Sequence, residues 1–81
     1  MRIAVSFYSR LREVTGCAQT TETVPDGATL DDLCRQLAVR FPQLAGWERS
    51  TLIAVGVDYQ PRNYRLNEGD EVALFPPVQG G

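Results

Sequence analysis

Apolar and polar residues alternate over residues 2–8, which predicts a strand with one buried side. A second strand is predicted over residues 20–24, where β-branched residues precede the turn sequence Pro25-Asp26-Gly27. Residues 9–15 between them are expected to form a short helical turn or a loop that stops at Gly16. The first part of the chain therefore predicts a hairpin with a short insert.

The apolar spacing changes to a helical period over residues 29–41. Thr29 is a suitable N-cap, and Asp31 and Asp32 in the first turn favour the positive end of the helix dipole. Pro42 is expected to end the helix. Apolar residues on one side of this helix recur three and four positions apart: Leu30, Leu33, Cys34, Leu37, Ala38 and Phe41.

The second half of the chain predicts further strands. Residues 51–57 are strongly apolar, residues 58–66 suggest short irregular strands, and residues 71–75 follow a turn. Trp47, in the connection before them, is expected to pack over the helix end. The order β-β-α-β-(β)-β predicts an α+β fold with a mixed four- to five-stranded sheet and one main helix on one face.

The side of the predicted sheet away from the helix carries a small apolar centre with an aromatic rim. Small residues let another surface approach closely, and an apolar patch of this kind favours a protein partner. The alternative is an ordinary exposed sheet face with scattered apolar residues. The residues on this side are Arg2, Ala4, Ser6, Tyr8, Glu71, Ala73 and Phe75.

Composition excludes most catalytic chemistry. The 81 residues contain no histidine, and all eight basic residues are arginine. Catalytic triads, histidine metal sites and Schiff-base lysines are therefore excluded. A net charge of −2 disfavours a nucleic-acid partner, and no apolar run approaches the roughly 18 residues of a membrane span. We predict a cytoplasmic protein that makes no membrane or nucleic-acid contact and has reduced thiols at Cys17 and Cys34.

The end of the chain carries the remaining candidate chemistry. We predict a domain over residues 1–75, followed by an extended flexible tail over residues 76–81. Pro76 and Pro77 favour a stiff extended path, and Gly80 and Gly81 can thread a narrow tunnel because they lack side chains. A terminal carboxylate must be activated by another enzyme, most simply as an acyl-adenylate, before it reacts.

The sequence resembles the family of molybdopterin synthase small subunits, the MoaD type, within the MoaD/ThiS ubiquitin-like sulfur carriers. The specific motif is Gly-Asp-Glu-Val…Phe-Pro-Pro-Val-Gln-Gly-Gly over residues 69–81, and Phe7-Tyr8, Leu11-Arg12-Glu13 and Ala54-Val55 also match. The similarity spans the whole chain. One position departs from the family pattern, because Gly56 stands where asparagine is often found.

This resemblance implies a β-grasp fold and a sulfur-carrier function. A ubiquitin-activating-like adenylyltransferase would use ATP to adenylate Gly81, and a persulfide donor would convert it to a thiocarboxylate. The tail would then enter the large subunit of the synthase, which supplies the catalytic residues, and deliver sulfur to the pterin precursor of molybdenum cofactor. No cofactor or metal would be bound by this chain itself. The residues expected at the partner are Ala4, Ser6, Ala73, Phe75, Pro76, Pro77 and Val78, with Ala54 beside them.

Three alternatives stay open at this stage. The chain could carry sulfur for thiamine synthesis or transfer-RNA thiolation, although Phe75-Pro76-Pro77 favours the molybdopterin branch. It could be a ubiquitin-like modifier that is joined through Gly81 to lysines of other proteins. It could also be a binding module whose tail is inert. Cys34 is expected to be a buried structural thiol, and a sulfur-relay role of Cys17 is conceivable.

Overall fold

The first and last strands lie side by side at the centre of a five-stranded sheet. The computed structural model describes residues 1–46 and 51–77, so the predicted packing of Trp47 lies outside the described residues. The elements are β1 Arg2–Phe7, α1 Arg10–Thr15, β2 Gln19–Thr23, α2 Leu30–Arg40, a 3-10 helix Pro42–Gly46, β3 Leu52–Val55, β4 Asp58–Tyr59 and β5 Glu71–Phe75. The sheet has the order β2-β1-β5-β3-β4, in which β1 and β5 are parallel and the other neighbours antiparallel.

The core lies between α2 and one face of the sheet, which confirms the predicted α+β arrangement with one main helix. Alternating side chains of β1 and β5 point into it because side chains change face at every residue of a strand. The helix contributes the apolar side that its spacing predicted. The main buried side chains are Ile3, Val5, Phe7, Leu11, Leu30, Leu33, Leu37, Val72 and Leu74.

A capping box fixes the start of α2. The Asp32 backbone N–H donates to the Thr29 hydroxyl at 3.2 Å, and the Thr29 backbone N–H donates to the Asp32 carboxylate at 3.0 Å. The backbone N–H groups of Leu30 and Asp31 donate to carbonyls of Tyr64 and Arg62 at 3.0 and 2.9 Å. The helix start is therefore tied to the segment that precedes β5.

The strand predicted over residues 51–57 is shorter than its apolar run. It ends at Val55 because Gly56, with a φ of 63°, and Val57 turn the chain directly into β4. The predicted insert after β1 folds as α1, behind Ser9, which holds a φ of 51°. No helix in the two described ranges is long and apolar enough to cross a membrane.

Replacing Asp32 with asparagine is expected to destabilise the protein in a pH-dependent way. Two hydrogen bonds lower the pKa of the Asp32 carboxyl below its ordinary value of 3.8. The larger effect comes from the Thr29 backbone N–H, and the next from the Thr29 hydroxyl. A pKa lowered by folding contributes stability that is present above the unfolded value and is lost as the pH falls through the folded one. Urea denaturation of the two proteins should therefore differ near neutral pH and converge in acid.

The matched control for this experiment is Asp58→Asn. Asp58 is an exposed carboxylate at the start of β4, away from any helix start. Its replacement should leave the free energy of unfolding nearly unchanged at both pH values. A stability difference for Asp32→Asn that persists undiminished below pH 3.8 would contradict the role assigned to the carboxylate.

Candidate functional site

The sheet face away from α2, here called the open face, carries exposed and half-buried side chains, apart from Ala54, which is 8% exposed. The pairing register brings its central residues into one row across the strands. Ser6 lies beside Ala73, and Ala73 lies directly opposite Ala54. Gln19 flanks the row on β2, and Tyr59 flanks it on β4.

The centre of the open face is therefore lined by small side chains, as the sequence pattern predicted. Three adjacent strands present only a hydroxymethyl group and two methyl groups along the central row. Ala4 and the exposed Glu71 form the next row, so the small surface extends along β1 and is bounded by a carboxylate at the start of β5. A surface of this shape allows the backbone of a protein partner to approach closely.

An aromatic cluster borders this small centre at the end where the chain leaves β5. Phe75 stacks on Tyr8 with ring centroids 4.7 Å apart and planes 12° apart. Tyr59 meets the same Phe75 ring edge-on, at 6.3 Å and 71°. Leu52 pairs with Phe75 across the strands. Tyr8, Leu52 and Tyr59 remain 40%, 39% and 68% exposed, so the cluster is a solvent-facing apolar patch.

The tail begins at this patch. Pro76 and Pro77 follow Phe75 directly and are half-buried. Val78, Gly80 and Gly81 lie outside the described residues, so the extended tail and its threading stay predictions. The strand that bears the tail is the central one of the sheet, hydrogen-bonded on both sides. Its direction, and so the point where the tail starts, is fixed by two neighbours.

The departure from the family pattern at Gly56 leaves the site intact. Gly56 adopts a φ of 63°, in the left-handed region that glycine and asparagine both tolerate. Its backbone N–H donates to the Glu71 carbonyl at 2.9 Å, which continues the ladder between β3 and β5. The substitution therefore preserves the turn that leads into β4 and Tyr59.

Chemistry is sparse in the described parts of the chain. No group of three or more histidine, cysteine or acidic side chains there could hold a metal ion. Cys34 is buried on α2, as predicted, and no disulfide joins it to Cys17. The Cys17 sulfur lies 3.8 Å from the Thr15 hydroxyl, and no cation is paired with it in the described structure. Nothing in this geometry activates Cys17 for sulfur relay.

Two features were missed by the sequence reasoning. Tyr59 joins the aromatic cluster, although the region around it was predicted only as short irregular strands. Glu22 is 3% exposed and pairs with Arg40 of α2. The signal for Glu22 was available, because it occupies an inward position between Thr20 and Val24 in the alternating pattern of β2.

A five-stranded mixed sheet crossed by one main helix, with the tail on its central strand, is a β-grasp, ubiquitin-like fold. The chain belongs to the ThiS family, whose sequence model matches residues 5–81. It is 35% identical to the molybdopterin synthase sulfur carrier subunit of Chlamydomonas reinhardtii, with all of both chains covered. It is 36% identical to the subunit of that name in Escherichia coli, with 98% of this chain and 99% of that protein covered.

A relative of another name is similar over the same span. The small archaeal modifier protein 3 of Haloferax volcanii is 33% identical, with both chains fully covered. The crystal structure of SAMP1 from the same organism superposes with a TM-score of 0.87 at 25% identity, again over both full chains.

Two more distant structures show the same fold. One chain in the complex of subunits 1 and 2 of molybdopterin-converting factor from Helicobacter pylori matches at a TM-score of 0.71 and 24% identity. The match covers all of this chain and all of that one. A ubiquitin of Caldiarchaeum subterraneum matches at 0.68 and 16%, covering 100% of this chain and 98% of that one. The β-grasp prediction and the family resemblance are confirmed.

Neighbouring residues of β5 should separate the core from the open face. Leu74 is 3% exposed and packs under α2, so Leu74→Ala is expected to cost about 2–4 kcal/mol of unfolding free energy. Phe75 is half-buried on the other side of the strand, and Phe75→Ala should cost about 1 kcal/mol. Urea denaturation of both variants measures the difference. Equal losses would show that Phe75 is a core residue and not a surface anchor.

Proposed function

We propose that this chain is the sulfur-carrying small subunit of a molybdopterin synthase and that Gly81 carries the sulfur as a thiocarboxylate. The observation that carries the proposal is the continuity of the tail with the open face. Phe75 belongs to the aromatic patch and is also the last residue of β5, directly before Pro76. A partner that covers the patch therefore receives the tail in a fixed direction.

The open face is the proposed docking surface for the large subunit. Ala4, Ser6, Ala54 and Ala73 form the small floor onto which a partner can pack closely. Phe75, Pro76, Pro77 and Val78 are the proposed apolar anchor, and Tyr8, Leu52 and Tyr59 extend it. Gly80 gives the narrow cross-section that a buried channel requires, since it has no side chain.

The proposed chemistry divides between this chain and its partners. An adenylyltransferase of the ubiquitin-activating type joins the Gly81 carboxylate to AMP from ATP and releases pyrophosphate. The terminal sulfur of a persulfide then displaces AMP, and reduction of the resulting acyl disulfide by a thiol leaves the thiocarboxylate. Because the chain has no histidine and no lysine, the general acids and bases for both stages are assigned to the partner enzymes.

The relatives support this proposal in two ways. Curated proteins that match over nearly the full length are named molybdopterin synthase sulfur carrier subunits. The fold also matches that of one chain in a complex of two subunits of molybdopterin-converting factor. We place the reaction in the cytoplasm, the compartment in which protein thiols stay reduced.

A second function has one observation in its favour. The similarity to the small archaeal modifier protein 3 covers the whole chain and suggests that the same tail could be joined to lysines of other proteins. Activation by adenylation is common to both functions, and they differ in what attacks the activated carbonyl. A carrier passes Gly81 to sulfur, whereas a modifier passes it to an amine.

Mass spectrometry of the intact chain tests the carrier function. After incubation with the cognate activating enzyme, ATP, a persulfide donor and a reducing thiol, one oxygen should be replaced by sulfur, and fragmentation should place the change in the C-terminal peptide. Omission of ATP should abolish the product. A chain shortened by Gly80 and Gly81 is the control and should remain unmodified. Failure to form this product would overturn the carrier function, and isopeptide adducts between Gly81 and lysines of other proteins in a cell lysate would favour the modifier.

Ala73→Arg tests the docking surface. An arginine at the centre of the small floor should weaken binding to the large subunit by about 30-fold or more, because the two backbones can no longer approach. Val39→Arg is the matched control, since Val39 is 83% exposed on α2, on the opposite side of the sheet. Calorimetric titration with the large subunit measures both affinities. Equal affinities of the two folded variants would rule out the open face as the docking surface.

A further inference from the structure

The edge strand β2 turns a row of backbone groups away from β1. Hydrogen bonds flank β2 at both ends. The Val24 N–H donates to the Met1 carbonyl at 2.9 Å, and the Phe7 N–H donates to the Ala18 carbonyl at 2.8 Å. In an antiparallel pair, alternate residues bond to the neighbouring strand, so the backbone groups of Gln19, Thr21 and Thr23 point outward. An exposed edge of this kind is a template for pairing with another chain.

Two side chains from α2 reach over to this edge. The Gln36 amide nitrogen donates to the Thr23 carbonyl at 3.0 Å. The Arg40 guanidinium donates to the Thr21 carbonyl at 3.5 Å. Gln36 and Arg40 lie four residues apart, so they sit on the same side of the helix, one turn after the other. Consecutive outward carbonyls of β2 are thereby occupied from within the chain.

Glu22 holds both side chains in place. Its carboxylate accepts from the Gln36 amide at 2.9 Å and forms an ion pair with Arg40. It is 3% exposed, whereas Arg40 is 51% exposed in its side chain. A buried carboxylate requires partners because burial removes its hydration. Glu22 therefore holds the Gln36 amide and the Arg40 guanidinium at the β2 edge more firmly than their hydrogen bonds to the β2 carbonyls alone would.

We propose that Glu22, Gln36 and Arg40 form an edge guard that prevents β2 of a second copy of this chain from adding to the sheet. The sequence of β2 makes a second copy the fitting occupant. Self-pairing about a two-fold axis through Thr21 would place Thr21 against Thr21 and Gln19 against Thr23. These pairs are polar and uncharged, and the strand has no proline or glycine to oppose pairing.

The opposite edge of the sheet needs no comparable guard. Its strand β4 has two residues, Asp58 and Tyr59, against five in β2. A very short edge strand offers few groups for pairing. The guard thus lies at the edge where strand addition would be most favourable, and it leaves the open face and the tail uncovered. The inference does not depend on which partner receives the tail.

Opening the edge tests the guard. The variant Glu22→Val/Gln36→Ala/Arg40→Ala removes the donors together with the carboxylate, so that no unpaired charge is left buried. It should form a dimer in sedimentation velocity at concentrations where the original chain is monomeric, with association tighter by at least about tenfold. Hydrogen exchange at the Gln19, Thr21 and Thr23 amides should slow as the dimer forms.

Two further variants make the result specific. Adding Thr21→Pro to the opened variant removes an outward N–H without breaking the pairing with β1, and it should restore the monomer. Arg35→Ala is the control on the same helix, because Arg35 pairs with Asp31 and not with the β2 edge. This variant should remain monomeric.

Three outcomes would overturn the proposal. They are an opened variant that is folded by circular dichroism yet monomeric, a dimer that survives Thr21→Pro, and an original chain that already associates through β2. If the opened variant fails to fold, Gln36→Ala alone keeps the Glu22–Arg40 pair and frees the Thr23 carbonyl. It should still show concentration-dependent protection of the β2 amides, and its absence would equally reject the guard.

Discussion

The parallel pairing of β1 and β5 is the constraint on which the rest of the structure depends. It joins the first seven residues of the chain to the strand that ends at Phe75, so the complete five-stranded sheet requires nearly the whole chain. Loop-closure entropy must be overcome before this pairing contributes, and the buried apolar side chains of both strands offset it. The pairing also places the last strand at the centre of the sheet, where a neighbour on each side fixes its direction.

A central position for β5 separates two demands on one strand. Val72 and Leu74 hold the strand to α2, while Ala73 and Phe75 remain available on the open face. Because side chains alternate strictly, packing under α2 and exposure on the open face fall to different residues of the same five-residue segment. A partner at the proposed docking surface would therefore contact the open face without disturbing the core.

The sequence predicted what depends on local periodicity. The helix with its Thr29 cap, the inward sides of β1 and β5 and the small open face all follow from patterns within one element. Contacts between distant elements were harder to predict. Tyr59 reaches Phe75 only because a turn at Gly56 brings a two-residue strand alongside β3, and no hydrophobic period marks so short a strand. The tail was predicted from its composition, and its conformation stays a prediction.

Glu22 is an exception to the burial of apolar residues at inward positions of the sheet, and this exception has a structural explanation. A carboxylate at an inward position of an edge strand conflicts with hydrophobic burial, and Gln36 and Arg40 resolve the conflict. Burial favours an apolar residue at such a place, so burial alone does not explain the acid. Unlike an apolar residue, the carboxylate directs the side chains of Gln36 and Arg40 toward the outward carbonyls of β2. A chain whose proposed function requires an uncovered sheet face and an accessible end has a physical reason to keep its longer edge closed to other copies of itself.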